Sequence, residues 1–376
     1  MLPFNRPATI GRELEYIADV IQNARLSGDG PFTARCHQIL EALHPGARAL
    51  LTTSGTHALE MAALLLDIGP GDEVIVPSFT FVSTVNAFVL RGATPVFADI
   101  RPDTLNVDVS TVAPLIGPRT KAIVVVHYAG VGCDMAPLVE LAASHGIPLV
   151  EDAAHALFGH YRGTPLGTFG TFAALSFHET KNITCGEGGA LLINDPVWMT
   201  RAEIVREKGT NRTQFARGQQ SKYTWIDLGS SWLPSELLAA FLCAQLEARD
   251  RIQMRRQAIW RRYQEELADW GSATGVRLPT IPHDCQHPAH LFYLIAPTDA
   301  DRRHLLQWLR EADILAVSHY EPLHTAEMAQ RLGVAPRHCP VTEHVAPKLL
   351  RLPLFIDLTP DAQGHVISTL RRWAPG

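Results

Sequence analysis

The chain has 376 residues, 46% hydrophobic and 19% charged, a globular composition long enough for one large domain and a smaller one. A formal net charge of -5 without any basic block argues against a general nucleic-acid binder, and the longest apolar runs, such as AALLLDI and AIVVV, are too short to span a bilayer. Six cysteines without CxxC pairing, and a first stretch MLPFNRPATIG that lacks a signal-peptide core, predict free thiols in a reducing cytoplasm.

Taken in order, an N-terminal arm leads into a helix expected over 14–23. A turn in SGDGPFT (27–33) follows, and a second helix over 31–43. A strand at 49–52 then enters a helix through Ser54-Gly55-Thr56. Leu59, Ala62, Ala63 and Leu66 form its apolar face, and Gly69 sits where a C-terminal cap belongs. Such a junction is an anion site, because free N–H groups and the positive helix end point at the ligand. Simple N-capping by Ser54 or Thr56 is the plainer account.

Alternation continues with strands at 73–76, 95–98, 122–126 and 148–151 and helices at 80–90 and 135–145, the helices ended by Gly92 and Gly146. Continuous Val/Ile/Leu runs alternating with amphipathic helices predict an α/β fold, a mainly parallel sheet covered on both faces. Ligands of such sheets sit at the carboxyl ends of the strands. The informative residues are therefore Ser54 to Thr56, Ser78 to Phe81, His127-Tyr128, Glu151-Asp152 and Ser176 to Lys181. Asp152 follows the apolar LVE. A buried acid there is costly unless it meets a cation or a donor, although it could equally cap the following segment.

The stretch GTFGTFAALSFHETKNITCGEGGALLIND (167–195) reads as a strand at 172–177, a polar turn carrying Lys181, and a Gly-rich return into a strand at 190–193. Gly186, Gly188 and Gly189 allow positive φ or close approach to something bulky. Lys181 is either a solvated turn lysine or an amine of depressed pKa, poised to form a Schiff base with a carbonyl.

Further on, one long amphipathic helix over 235–270 is expected to join two bodies. Beyond it come a strand at 291–295, a helix at 302–312, a strand at 315–319 and a terminal helix. This divides the chain into 1–250 and a smaller α+β domain, 251–376. His283, Cys285, His287 and His290 cluster in sequence, but their spacing fits no common zinc signature and prolines mark a loop. No metal is expected.

Several stretches together resemble one family. They are SGTHALEMAALLLDIGPGDEVIVPSFTFVSTVNAF, GATPVFADIRPDTLNVD, VVHYAGVGCDM, VEDAAHA, SFHETKN and CGEGGALLIND, and the family is the pyridoxal-phosphate-dependent sugar-nucleotide aminotransferases. The resemblance covers nearly the whole chain. It implies the aspartate-aminotransferase-like fold (fold type I), with a large domain and a smaller C-terminal one. REKGTNR, KYTWIDLGSSWLPSELLAA and HYEPLH are most similar to the dTDP-4-amino-4,6-dideoxygalactose transaminases within it. Carried over, the resemblance implies that Lys181 holds pyridoxal 5'-phosphate covalently and moves protons, and that Asp152 pairs with the ring nitrogen. Gly55, Thr56 and Ser176 would hold the phosphate, with Ser231 reaching it from a second subunit of a homodimer with shared sites. Phe81 would stack on the ring. His155, where many relatives have Gln, would meet the phenolic oxygen. L-Glutamate would be the donor and a dTDP-linked keto sugar the acceptor, with Lys208, Arg212, Lys222, His319, Tyr320 and His324 as candidate substrate contacts. Related sugar dehydratases carry histidine in place of the lysine, and a non-catalytic relative would be expected to lose Lys181 or Asp152.

Overall fold

A computed structural model describes residues 1–334 and 337–375. The chain opens with helices α1 (Glu13–Gln22) and α2 (Pro31–Leu43), then alternates β1 (Arg48–Thr52), α3 (Gly55–Leu65), β2 (Glu73–Pro77), α4 (Val82–Val89) and β3 (Thr94–Ala98). β4 (Thr120–Val126) and β5 (Leu149–Asp152) follow, then the short β6 (His160–Tyr161) and β7 (Thr164–Pro165), then β8 (Phe172–Ser176) and β9 (Gly189–Ile193). Seven of these strands form one sheet in the order β1-β9-β8-β5-β4-β2-β3. From β8 to β3 every neighbour is parallel, and only β9 runs against both of its partners. The β8–β9 hairpin therefore breaks an otherwise parallel sheet at the point where Lys181 sits.

Both faces of the sheet are covered, which explains the uninterrupted apolar strands. One face packs with Tyr16 and Val20 of α1, Leu40 of α2 and the helix Glu236–Glu247. The other packs with α3, whose Ala58, Leu59 and Met61 to Leu65 are all buried, and with α4. Gly30 at the head of α2 has no side chain to cap it. The buried carboxylate of Glu236 does so instead, accepting the N–H groups of Gly30, Phe32 and Thr33 at 3.0, 2.9 and 3.0 Å.

The expected single helix over 235–270 is two: Glu236–Glu247 and Arg249–Thr274, broken at Ala248, whose φ of -87° and ψ of 7° leave the helical well. Neither Gly nor Pro marks the break. The first half is gripped by α1 and α2, whereas the second buries Ile259, Trp260, Tyr263 and Leu267 in a separate core, so the chain bends where its packing partner changes.

That separate core gathers side chains from Ile259 to Trp373. β10 (Cys285–Gln286) pairs with β6, while β11 (Phe292–Ile295), β12 (Val317–Ser318) and β13 (Leu349–Leu352) form an antiparallel sheet in the order β11-β13-β12. β12 spans two residues where five were expected. The N-terminal arm is docked on this body: Leu2 N–H donates to the Asp313 carbonyl at 2.6 Å, and Leu315 N–H donates to that of Leu2 at 3.0 Å. All six cysteines are buried and unpaired. No helix among the described residues is long and apolar enough to cross a membrane.

Candidate active site

The carboxyl ends of β1, β2, β4, β5 and β8 open onto a cavity of about 730 Å³. Gly55, Thr56, Phe81, Asp152, His155, Ser176, Lys181, His319 and Tyr320 all line it, brought there from positions up to 265 residues apart in sequence. The 178–181 turn, closed by Lys181 N–H donating to the His178 carbonyl at 2.9 Å, presents the lysine. Burial pushes the Lys181 amine down to about 8. The Asp152 carboxylate opposes that shift and the Arg351 guanidinium adds to it.

Asp152 ends β5 and is almost fully buried. Its Oδ2 accepts the Thr84 hydroxyl at 2.7 Å and its Oδ1 the Ala154 N–H at 3.1 Å. Thr84 Oγ1 lies 2.8 Å from Thr80 Oγ1, so a short hydroxyl chain fixes the carboxylate from behind. Asp152 thus caps the following turn and also faces the cavity; the two sequence-level accounts hold together.

The same is true at α3. Ser54 Oγ accepts the His57 N–H at 3.1 Å as an ordinary cap, leaving the Gly55 and Thr56 N–H groups at the helix head on the cavity wall. Of the return-strand glycines, Gly186 takes a positive φ of 86° and Gly189 makes a close approach, to backbone. A Cβ at Gly189 would lie 2.4 Å from the Gly55 nitrogen and from the Ser54 carbonyl, so β9 and the head of α3 touch backbone to backbone. A Cβ at Gly55 would in turn stand 3.0 Å from that of Ser176. The packing draws the α3 head against the end of β8.

The wall beyond is aromatic. His155 stacks on His290 with ring centroids 4.2 Å apart, and His319 stacks on Tyr320 at 3.7 Å. The Tyr128 hydroxyl lies 2.7 Å from His319 Nδ1. Burial, then the nearby charges of Lys181 and Arg351, hold His155 well below its ordinary range, so the ring is neutral. Its Nδ1 is buried and has no partner among the described residues. Phe81, 54% exposed at the rim, stands 6.2 Å from the Tyr320 ring.

The remaining sequence candidates lie elsewhere in the chain. His324 is buried and bridges the Ser78 hydroxyl (2.5 Å) and the Glu343 carboxylate (3.0 Å), tying the HYEPLH segment to β2; it is outside the cavity. Lys208 and Arg212 pair with Glu207, and exposed Lys222 and Ser231 lie on the same segment, also outside the cavity of their own chain. Of the His/Cys cluster, His283 is exposed beside Asp284, Cys285 is in β10, His287 packs on Trp260, and only His290 reaches the cavity. No group of metal-binding side chains forms among the described residues. Arg351, Phe4 and Asn5 line the cavity without having been read from the sequence. Arg351 carried the clearest signal, a lone cation in the apolar run LLRLPL.

Comparison with known proteins decides the family. The model of the DegT/DnrJ/EryC1/StrS aminotransferase family matches residues 7–371. The chain belongs to that family. It is an aminotransferase with the aspartate-aminotransferase-like fold, in the group of pyridoxal-phosphate-dependent sugar aminotransferases that its motifs resemble. Among solved structures, DesV of S. venezuelae is 33% identical over 97% of this chain and 95% of its own, with a TM-score of 0.87. TlmJ of Streptoalloteichus hindustanus is 28% identical over 99% and 98%, TM-score 0.89. The PLP form of Spr1654 from Streptococcus pneumoniae is 26% identical over 98% and 97%, TM-score 0.90. The cofactor is pyridoxal 5'-phosphate. The cavity fits it in its own terms: an amine of lowered pKa, a fixed carboxylate, a helix head for phosphate and a His155 Nδ1 unpartnered among the described residues.

Proposed function

We propose that this chain transfers the amino group of L-glutamate to carbon 4 of dTDP-4-dehydro-6-deoxyglucose, giving dTDP-4-amino-4,6-dideoxygalactose and 2-oxoglutarate. The observation that carries the chemistry is the meeting of Lys181 and Asp152 in one cavity at the head of α3. Bound pyridoxal phosphate would supply an electron sink to the carbon that loses or gains a proton in each half-reaction. Lys181 anchors the cofactor. Freed from it, its amine takes the proton from the donor's α-carbon and delivers protons in reverse for the sugar. Asp152, held by Thr84 and Ala154, keeps a negative charge where the ring nitrogen's proton belongs. Gly55, Thr56 and Ser176 bind the phosphate. His155 Nδ1 would be available to the phenolic oxygen, and Phe81 would wall off water at the rim.

The substrate rests on stretches that cofactor binding does not require, namely REKGTNR, KYTWIDLGSSWLPSELLAA and HYEPLH. His319 and Tyr320 of the last stand in the cavity wall, which supports a role against the sugar. Lys208, Arg212, Lys222 and Ser231 act in this reading from a second subunit, in a homodimer with shared sites. The enzyme works in the cytoplasm, making a precursor for a cell-surface polysaccharide of the enterobacterial common antigen type.

The test is kcat/KM with glutamate as donor for this sugar, its 3-keto isomer and a UDP-linked 4-keto sugar. A site that hydrogen-bonds the correct groups rejects an analogue lacking one far more strongly than it rejects a missing methyl. Preference for either competitor would overturn the substrate while leaving the transaminase chemistry in place.

A further inference from the structure

We propose that Arg351, its guanidinium seated on the Phe4 ring of the N-terminal arm, is the anion seat of this cavity, receiving a carboxylate or phosphate group of a substrate. The proposal rests on the transaminase reading of the cavity and goes beyond it in naming the group that recognises substrate charge and the segment that positions it.

Arg351 is the third residue of β13, between Tyr293 of β11 and Val317 of β12. Its Nη2 donates to the Ser318 carbonyl at 3.1 Å. Its Nε is buried without a partner, and among the described residues no carboxylate pairs with it. A guanidinium carries five N–H donors and stays charged; the Ser318 carbonyl takes one of them, and the residue lines the cavity. An arginine in this setting needs an anion, and none of the described residues pairs one with it. A snorkelling surface arginine would instead keep Nε in water.

The arm explains how the fork is held. Leu2 is hydrogen-bonded on both sides to the 313–315 segment. Asn5 Nδ2 donates at 3.1 Å to the carbonyl of Glu179, two residues before Lys181. Between these two moorings the Phe4 ring lies 4.7 Å from Arg351 Cζ. A guanidinium on an aromatic face keeps its edge donors free for a planar, bidentate partner. Phe4 is thus a positioning residue that acts through Arg351.

Two substrate groups share this chemistry, the carboxylates of the amino donor and the diphosphate of the nucleotide sugar. Calorimetric titration of the cofactor-loaded protein with glutarate and, separately, with dTDP distinguishes them. Arg351→Gln should lower affinity for one probe by about ten- to hundredfold, and Arg351→Lys, which keeps charge without the fork, should recover only part of it. Phe4→Ala should weaken the same probe by about three- to thirtyfold, Phe4→Trp should restore it, and Phe4→Ala should add nothing in the Arg351→Gln background. Loss confined to glutarate assigns the seat to the donor; loss confined to dTDP assigns it to the nucleotide. Unchanged affinity for both probes in Arg351→Gln, with thermal melting and cofactor content as in the parent, overturns the proposal. So does a Phe4→Ala effect of equal size in both backgrounds. A parent enzyme inactive on every keto sugar, yet losing glutarate affinity on Arg351→Gln, would sink the substrate assignment and leave the seat standing.

Discussion

Lys181 is the residue on which local chemistry and packing meet. At pH 7 an amine of pKa about 8 is roughly one-tenth neutral, against about one part in three thousand for an ordinary lysine at 10.5. Covalent capture of pyridoxal phosphate by the cofactor-free protein should therefore climb with pH up to about 8 and flatten above it. Borohydride trapping followed by peptide mapping reads this out, and a label on another lysine, or a rise continuing to pH 10, would reject the assignment. Asp152 has the complementary part. Asp152→Asn keeps the shape and can still accept the Ala154 N–H, so melting should change little, while turnover should fall about a hundred- to thousandfold for loss of one preorganised charge. A near-normal rate would reduce Asp152 to a capping residue.

Among the elements, the β8–β9 hairpin and the head of α3 are fitted to each other. Gly189→Ala places a methyl 2.4 Å from the Gly55 nitrogen, so backbone must move. We expect about 1–3 kcal/mol of lost stability from overpacking, together with weaker cofactor retention in dialysis, because the helix head moves with it. Retention equal to the parent would separate the packing contact from the phosphate site. β5 offers a second case. Glu151 is fully buried and accepts His127 Nε2 at 2.9 Å and the N–H groups of Gly167, Phe169 and Gly170 at 2.7 Å each, holding the loop that feeds β8. Burial pushes its carboxyl up, but these donors outweigh burial and hold it below 4.5. A depressed carboxyl stabilises the fold above its unfolded value, and the contribution disappears as pH falls below about 4.5. Glu151→Gln should cost about 3–5 kcal/mol at neutral pH and flatten the acid limb of thermal stability; an unchanged limb would assign it to other carboxylates. Such long-range pairings also show why the sequence was legible only in part. The Val/Ile/Leu runs, the capping Ser54 and the Gly-rich return are local signals, and they placed strands, helices and the cavity-lining residues after each strand. Nothing local shows that Glu236 caps α2, that Ala248 breaks a helix, that Gly189 meets Gly55, or that Phe4 reaches Arg351. Each depends on a partner from 134 to 347 residues away, or on a change of packing neighbour.

At the scale of the whole molecule, the segment from Lys208 to Ser231 has no evident purpose within one chain. Its ends are closed on each other, with Lys208 N–H donating to the Ser230 carbonyl at 3.0 Å and Ile226 N–H to that of Gly209 at 2.8 Å. Yet Tyr223, Trp225, Ile226 and Leu228 are 51 to 73% exposed on it. A run of large exposed apolar side chains on a folded segment marks an interaction surface, which the homodimer proposed above would cover with a second copy of the chain. Ser231, Lys208, Arg212 and Lys222 lie on that segment, so the partner would carry them to the Lys181 cavity. Trp225→Asp should shift the sedimenting species towards monomer and abolish activity without unfolding the chain. Complementation is the sharper measurement. When Lys181→Ala and Ser231→Ala chains are unfolded, mixed and refolded, each mixed dimer should hold one site with both defects and one with neither. Statistical pairing then restores about a quarter of the sites to parent composition, whereas each variant alone lacks any. Activity equal to the mean of the two variants would place Ser231 outside the neighbour's site, and a fully active monomer would remove the shared-site arrangement altogether.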